Sequence, residues 1–377
     1  MKNSLWLLLL LLAACSGSTL QPNIQADPVF IPPKPMADRP KNLILMIGDG
    51  MGLTQVSAAL YDNSNRLTLE KFPIIGLHKS YSSDNLVTDS AAGATAFACG
   101  VKTYNGAIGV DANGVAKKTI LEEAEDRQLA TGLIATSTIV HATPAAFIAH
   151  QKRRAFYESI AADFLKTEID FFVGGGKKYF DRRDSDDRNL YKELERNNYI
   201  VSDYFKKRRL EKVLIDVNKN FAYFTADDDP LTAMTGRKYL PMASKMGVEF
   251  LKQHSEKGFF LMIEGSQIDW GGHANNKSYV LSEMKDFDRA ISAVLEFAKQ
   301  DGETLVVVTA DHETGGMSIN LGSKMNKLKI KFNTGDHTAA LIPVFAYGPG
   351  AEIFGGIYEN TDLHSKMRQA LGFGDPE

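Results

Sequence analysis

Residues 43–52 read Leu-Ile-Leu-Met-Ile-Gly-Asp-Gly-Met-Gly, an apolar run that ends in an aspartate between glycines. A short apolar run bounded by turn residues is typical of a strand that is buried on both faces of a parallel sheet. The glycines let the chain turn sharply and bring the Asp49 carboxylate close to a bound ion. Alone, the pattern fits a tight turn with a capping aspartate equally well.

Four similar runs follow along the chain, and helical patterns such as 119–128 and 278–300 lie between them. This alternation predicts an α/β fold, in which a central, mostly parallel sheet is sandwiched by helices. The segment of about 177–240 is rich in Asp, Arg, Lys and Asn, and we interpret it as a polar insertion on the rim. The expected strands are 43–47, 132–136, 259–263, 304–308 and 342–346.

Three of the expected strands lead directly into a carboxylate, namely Asp49, Glu264 and Asp311. Sites in open α/β sheets form outside the carboxyl ends of the strands, so these side chains should meet at one edge. Converging carboxylates repel one another unless a cation holds them. The sequence therefore predicts a divalent-metal site.

Three of the eight histidines, His273, His312 and His337, lie in short glycine-rich polar segments. Asp269 is four residues before His273, which places the two on one face if the segment is helical. Carboxylate and imidazole ligands together suit zinc. A lone histidine is usually a packing or surface residue, but three in such settings favour a site for two or three metal ions.

A serine stands at the start of the alanine-rich segment 90–96. Thr88 or Asp89 can cap a helix that the alanines continue, which places Ser90 in the first turn. A phosphate there would meet free backbone N–H groups and the positive end of the helix dipole. From this segment alone, an ordinary capped helix is the simpler interpretation.

Seven motifs together resemble the alkaline phosphatase family, and they occur in that family's order between about residues 42 and 350. Each motif is modest, but the ordered set is specific. The motifs are Asp49 to Gly52, Thr88 to Ala92, Gly100 to Gly106, His141 to Pro144, Glu264 to His273, Thr309 to Glu313 and His337-Thr338.

The resemblance implies that the protein hydrolyses phosphate monoesters through a phosphoserine on Ser90. It assigns the phosphate clamp to Arg154, for which the neighbouring Arg153 is the nearest confusable residue. An arginine suits the clamp because its planar fork meets two phosphate oxygens at once. The implied cofactors are two zinc ions, held by Asp269, His273 and His337 and by Asp49, Ser90, Asp311 and His312, and one magnesium ion, held by Asp49, Thr143 and Glu264.

Two positions depart from the commonest bacterial pattern of that family. His141 stands where that form has an aspartate beside the magnesium ion, and Trp270 stands where it has a lysine. Whether the third ion is magnesium or zinc therefore stays open. The chain is also compact for the family, which leaves the usual homodimer open.

Other functions remain alternatives at this point. The metal scaffold also resembles that of phosphodiesterases, sulfatases and cofactor-independent phosphoglycerate mutases. Arg154 and the segment 88–90 favour monoesters over diesters, and the modification motif of a sulfatase is not seen in the sequence. A surface lipoprotein that only binds phosphate or metal would have no use for Ser90. The formal net charge of −3 gives no electrostatic footprint for nucleic acid.

The N-terminus predicts export and a lipid anchor. A short apolar core after Lys2 ends at Cys15, preceded by small residues as in a bacterial lipobox, and it is too short to span a bilayer. A plain signal peptide with an incidental cysteine is the alternative. The other cysteine, Cys99, should be a buried small apolar residue. We expect a signal peptide at 1–14, a lipidated, proline-rich tether at 15–40 that holds the enzyme at the outer membrane or facing the periplasm, and a catalytic domain at 41–377.

Overall fold

The computed structural model describes residues 35–206 and 209–374. The expected signal peptide, Cys15 and the tether up to residue 34 lie outside the described residues. The strands are β1 (Asn42–Gly48), β2 (Ile74–Lys79), β3 (Ala130–Thr138), β4 (Phe171–Gly175), β5 (Tyr199–Asp203), β6 (Asn220–Phe224), β7 (Phe259–Gly265), β8 (Thr304–Thr309), β9 (Glu313–Thr314), β10 (Ser318–Ile319), β11 (Ile330–Lys331), β12 (His337–Thr338), β13 (Ile342–Tyr347) and β14 (Gly356–Glu359).

Ten of these strands form one sheet in the order β14-β2-β13-β8-β1-β7-β3-β4-β6-β5. Neighbouring strands are parallel except at β13, which runs antiparallel to both β8 and β2. The mostly parallel α/β sheet expected from the sequence is thus confirmed, and all five expected strands are present. The parallel direction expected for 342–346 is wrong.

Helices cover both faces of the sheet, and the expected helices at 119–128 and 278–300 are present. The helices are α1 (Leu53–Asp62), α2 (Ser90–Cys99), α3 (Ile120–Asp126), α4 (Ala142–Ala145), α5 (Tyr157–Asp163), α6 (Lys178–Asp181), α7 (Leu190–Arg196), α8 (Tyr239–His254), α9 (Gln267–His273), α10 (Lys277–Asp301) and α11 (Asn360–Leu371).

Strand β1 shows how the core is divided. Leu43, Leu45 and Ile47 pack into a cluster with α2, α3 and α11, whereas Ile44 and Met46 pack into another with α1, α8 and α10. Alternate side chains of a strand point to opposite faces, so a continuous apolar run fills both layers. Cys99 lies in the first cluster and is buried and unpaired, as expected.

The polar segment 177–240 belongs partly to the sheet. Strands β5 and β6 form one edge of it, and Val201 and Phe221 are buried there. The loops around these strands carry the charged residues that the sequence shows. Within the described ranges, no helix combines the length and apolar character that crossing a membrane requires.

Candidate metal centre and nucleophile

The carboxyl ends of three adjacent strands bring the predicted acids together. Strand β1 lies between β7 and β8, and Ile47 is the register partner of both Glu264 and Thr309. Asp49 therefore projects between the ends that carry Glu264 and Asp311. The following Gly50 has a φ of +73°, and a Cβ there would lie 2.7 Å from the Cα of Asp269. Only glycine fits this turn without strain.

One group of side chains joins α9 to β12. In α9, His273 Nε2 lies 3.2 Å from Asp269 Oδ2, and His337 Nε2 from β12 lies 3.5 Å from Asp269 Oδ1. The two Nε2 atoms are 3.1 Å apart. The Nδ1 atoms contact the backbone oxygens of Gly335, at 2.6 Å, and Thr88, at 2.8 Å. Both rings thus turn Nε2 toward one point, as a zinc ion requires.

A second group surrounds His312, which is fully buried. Its Nε2 lies 3.3 Å from Ser90 Oγ, 3.4 Å from Asp49 Oδ1 and 3.3 Å from Asp311 Oδ2. Asp269 also offers an oxygen to the cluster that Asp49 and His312 form. Asp269 therefore stands between the two groups. The resemblance to the family had assigned it only to the group with His273 and His337.

A third group lies on the other side of Asp49. Asp49, His141 and Glu264 each offer one ligand atom, and these atoms lie within 4.8 Å of one another. Thr143, in the short helix α4, is fully buried. His141 therefore offers a nitrogen to this third group, which the aspartate of the commonest bacterial pattern could not do.

Several polar atoms in these groups are buried with no hydrogen-bond partner among the described residues. Such atoms cost free energy unless something binds them. Oxygen ligands of this kind fit zinc or magnesium ions. The atoms are both carboxylate oxygens of Asp49, Asp311 Oδ2, Glu264 Oε1 and Thr143 Oγ1.

The electrostatics also favour a cation. Burial, followed by repulsion from Asp311, Asp269 and Glu264, raises the pKa of Asp49 well above its usual range. Burial likewise raises the pKa of Glu264 to about 8, and burial with repulsion from Asp269 raises that of Asp311 to about 6. Carboxylates held this close need positive charge between them to stay ionised at neutral pH.

Ser90 is the first residue of α2 and only 2 % exposed. Asp89, rather than Thr88, caps the helix, because its Oδ1 accepts a hydrogen bond from Ala92 N at 3.0 Å. The Ser90 hydroxyl thus lies at the positive end of the helix and against the second group.

The Arg154 guanidinium also lies at this end of α2. Its Nη1 donates to Asp89 Oδ2 at 3.0 Å, and its Nη2 lies 3.2 Å from His141 Nε2. Burial and the charge of Arg154 lower the pKa of His141 to about 3, so this ring is neutral. Arg153 is exposed. The His141 ring also packs edge-on against Trp270, with centroids 5.9 Å apart.

Residues 40–329 match the family model described as "Alkaline phosphatase". The chain belongs to the alkaline phosphatase family. It is 36% identical to alkaline phosphatase 3 of Bacillus subtilis, over 89% of this chain and 90% of that protein. It is 32% identical to the alkaline phosphatase of Escherichia coli, over 89% of this chain and 87% of that protein. It is therefore an enzyme of this family.

Solved alkaline phosphatases have the same fold. The enzyme from the Antarctic bacterium TAB5 superposes with a TM-score of 0.82 at 45% identity, covering 89% of this chain and 99% of that one. Two variants of the TAB5 enzyme, in which a histidine is replaced by glutamate or by aspartate, hold magnesium in the site named M3.

The sequence did not single out two buried residues of this alkaline phosphatase site. The Thr314 hydroxyl contacts Asp269 and His312. Glu313 accepts hydrogen bonds from Gln55 Nε2, at 2.7 Å, and from the Thr338 hydroxyl. Both lie directly after His312. Their partners are far away in the chain, so only their position inside a glycine-rich motif could have marked them.

Proposed function

We propose that the protein hydrolyses phosphate monoesters through a phosphoserine on Ser90, at a site for two zinc ions and a third ion. The observation that carries this proposal is the position of Ser90 Oγ. It lies at the N-terminus of α2, 3.3 Å from His312 Nε2, with Arg154 reaching the same helix end through Asp89. A nucleophile, an anion clamp and three groups of metal ligands therefore surround one small space.

Each metal ion has its own set of side chains in this proposal. Zinc and magnesium ions, when bound, would supply the positive charge that lowers the pKa of the Ser90 hydroxyl and neutralises the leaving oxygen. One zinc would be held by Asp269, His273 and His337, the other by Asp49, Ser90, Asp311 and His312, and the third ion by Asp49, Thr143 and Glu264, beside His141.

The chain's own residues then carry out the reaction in two steps. Arg154, with its guanidinium fixed by Asp89 and His141, binds two oxygens of the phosphate. Ser90 Oγ attacks phosphorus as the bond from phosphorus to the ester oxygen breaks. The proton that Ser90 loses is taken up by the departing oxygen, which leaves phosphoserine and an alcohol. Water then attacks the same phosphorus and releases Ser90 and inorganic phosphate. Since the site grips mainly the phosphate, broad specificity for the alcohol is expected.

Hydrolysis of three related substrates tests the proposal. With zinc and magnesium present, we expect p-nitrophenyl phosphate to be turned over far faster than bis(p-nitrophenyl) phosphate or p-nitrophenyl sulfate. The Arg154 guanidinium pairs with two free oxygens of the phosphate. A diester carries less negative charge on these oxygens than a monoester does, so it should be bound less firmly. A preference for the diester or the sulfate would replace this function with that of a phosphodiesterase or a sulfatase. Phosphate binding without turnover would indicate a binding protein.

His141, beside the proposed third ion, is one of the two positions at which this chain departs from the commonest bacterial pattern. We predict that His141→Asp lowers the magnesium concentration that gives half-maximal activity by about 10-fold, because a carboxylate oxygen suits magnesium better than a neutral imidazole. The magnesium reported in M3 of the two TAB5 variants supports this proposal. Magnesium titration of both proteins measures the effect. An unchanged midpoint in a folded variant would assign His141 a packing role only.

The proposed location depends on Cys15. We propose that its thiol carries lipid and anchors the enzyme at the outer membrane or facing the periplasm, because it ends a short apolar signal. Cys15→Ala should move the protein from the membrane fraction to the soluble fraction. The control is Cys99→Ala, which removes the buried cysteine and should leave fractionation unchanged. Equal membrane association of the Cys15 variant would refute the anchor.

A further inference from the structure

Thr314 lies where three glycine-rich motifs meet, and it is fully buried. Its backbone N–H donates to Gly50 O at 3.3 Å, and its register partner in β12 is His337. A Cβ on Gly50 would lie 2.8 Å from Thr314 Oγ1, and one on Gly272 would lie 2.8 Å from its methyl carbon. The glycines of the motifs at 49–52 and 264–273 therefore leave the space that this side chain fills.

The Thr314 hydroxyl contacts residues of two metal-ligand groups. It donates to Asp269 Oδ1, and its oxygen lies 3.3 Å from His312 Nδ1. A hydroxyl has one hydrogen, and an ionised carboxylate can only accept. The hydrogen therefore goes to Asp269, and His312 Nδ1 is the donor to Thr314.

This direction of donation fixes the tautomer of His312. With the hydrogen on Nδ1, the lone pair is on Nε2, which faces Ser90 Oγ and Asp311 Oδ2, both at 3.3 Å. His273 and His337 are held in the same way, but by backbone oxygens. Among these three histidines, His312 is thus the one whose ring is oriented by a side chain, and a substitution can remove that contact.

We propose that Thr314 is a positioning residue that orients ligands of both zinc ions through one hydroxyl. It holds Asp269 for the first ion and His312 for the second, so its loss loosens both sites together. This inference rests on the proposed function, because it presupposes that these groups bind zinc. A purely structural role is the competing account, since the methyl group also fills the space beside Gly272.

Two pairs of variants separate the hydroxyl from the methyl group. Thr314→Val removes the hydroxyl at nearly constant shape, and Thr314→Ser keeps it. Thr314→Ser and Thr314→Ala both lack the methyl and differ by the hydroxyl alone, which decides the question if the valine variant does not fold. The matched control is Thr304→Val, since Thr304 is also fully buried and donates to a buried aspartate, Asp301, at 2.5 Å.

Zinc affinity of the full chain, measured by competition with a chromogenic chelator, is the main readout. We expect Thr314→Val to weaken both zinc sites by about 10- to 100-fold, as loss of a partner behind a metal ligand usually does. Thr314→Ser should stay within about 3-fold of the wild type, and Thr304→Val should bind zinc normally. The visible spectrum of the cobalt-substituted protein should change in the valine variant and return in the serine variant.

Three results would overturn the inference. A loss in the serine variant with none in the valine variant, or equal losses in the serine and alanine variants, would assign the effect to the methyl group. Weakening of a single site would refute the joint role, and unchanged affinity in Thr314→Val would refute any role. A wild-type protein that binds no zinc at these groups would instead refute the proposed function itself, which the wild-type titration shows before any variant is compared.

Discussion

Replacing Ser90 with alanine is expected to lower kcat for phosphate monoesters on the order of 1000-fold or more. The hydroxyl is buried at the start of α2, and the described groups around it offer no other hydroxyl that stands at both the helix end and His312. Without it, the phosphoryl group can only pass directly to water. The metal content should stay nearly unchanged, because the aspartate and histidine ligands remain.

Steady-state kinetics and elemental analysis of the same preparation test this expectation. Ser244→Ala is the matched control, because Ser244 is fully buried in α8 and, within the described ranges, its hydroxyl bonds only to Leu240 O, at 2.8 Å. That variant should keep normal turnover. A Ser90→Ala enzyme that retains a tenth of the activity would show that the serine is not the nucleophile.

Replacing Asp49 with asparagine is expected to have opposite effects on activity and on stability. In the presence of zinc and magnesium, kcat/KM should fall by more than about 100-fold. This is a larger loss than usually follows from removing a residue that only contacts a metal ligand. Asp49 contributes to two of the three groups of possible ligands, so in the proposed site its charge would serve two ions at once. Without metal, the same charge repels Asp311, Asp269 and Glu264, and its removal should stabilise the fold.

The stabilisation should depend on pH. The pKa of Asp49 is raised in the folded, metal-free protein, so its protonated form favours folding at low pH and this advantage is lost as pH rises through the folded pKa. Glu264, with a pKa of about 8, and Asp311, with about 6, act in the same direction. The metal-free wild type should thus lose stability from about pH 4 to about pH 8. The amount by which Asp49→Asn is more stable than the wild type should grow over the same range.

Urea unfolding of both proteins in the presence of a chelator, at pH 4.5 and pH 8, measures the difference in their free energies of unfolding. A shift of one pKa unit on folding corresponds to about 1.4 kcal/mol of this free energy. Asp301→Asn is the control of opposite sign. Asp301 is buried but accepts hydrogen bonds from Asn42, Thr304 and Lys252. Burial acts to raise its pKa, but the bonds from Lys252 and Thr304 hold it below the usual range. That variant should be destabilised. An Asp49→Asn protein that is less stable than the wild type at both pH values would contradict the account.

The sequence predicted the elements that carry a local signal. An apolar run such as 43–47 has to be buried on both faces, and Leu45 and Met46 do pack into different clusters. The run at 342–346 looks the same, but nothing in it specifies direction, and β13 runs antiparallel. Strands β5 and β6 were missed inside 177–240 because charged loops surround short strands at the edge of the sheet.

The site was predictable to the extent that its residues share a motif. Asp49 and His312 were singled out because each stands in a glycine-rich segment. The capped segment at Ser90 indicated only the start of a helix, and the role of Ser90 came from the resemblance to the family. The ionic contact of Asp89 with Arg154 and the hydroxyl of Thr314 were not found, because each depends on a partner in another part of the chain. Asp89 uses one oxygen for the cap and the other for Arg154, and a capping pattern reports only the first.

Trapping the covalent intermediate tests the central claim most directly. The enzyme, loaded with zinc and magnesium, is mixed with a ³²P-labelled monoester and quenched in acid, and the labelled peptide is sequenced by mass spectrometry. The account predicts phosphate on Ser90, at up to one group per chain, and none in Ser90→Ala. Label on any other residue, or rapid turnover with no labelled peptide at any quench time, would contradict it.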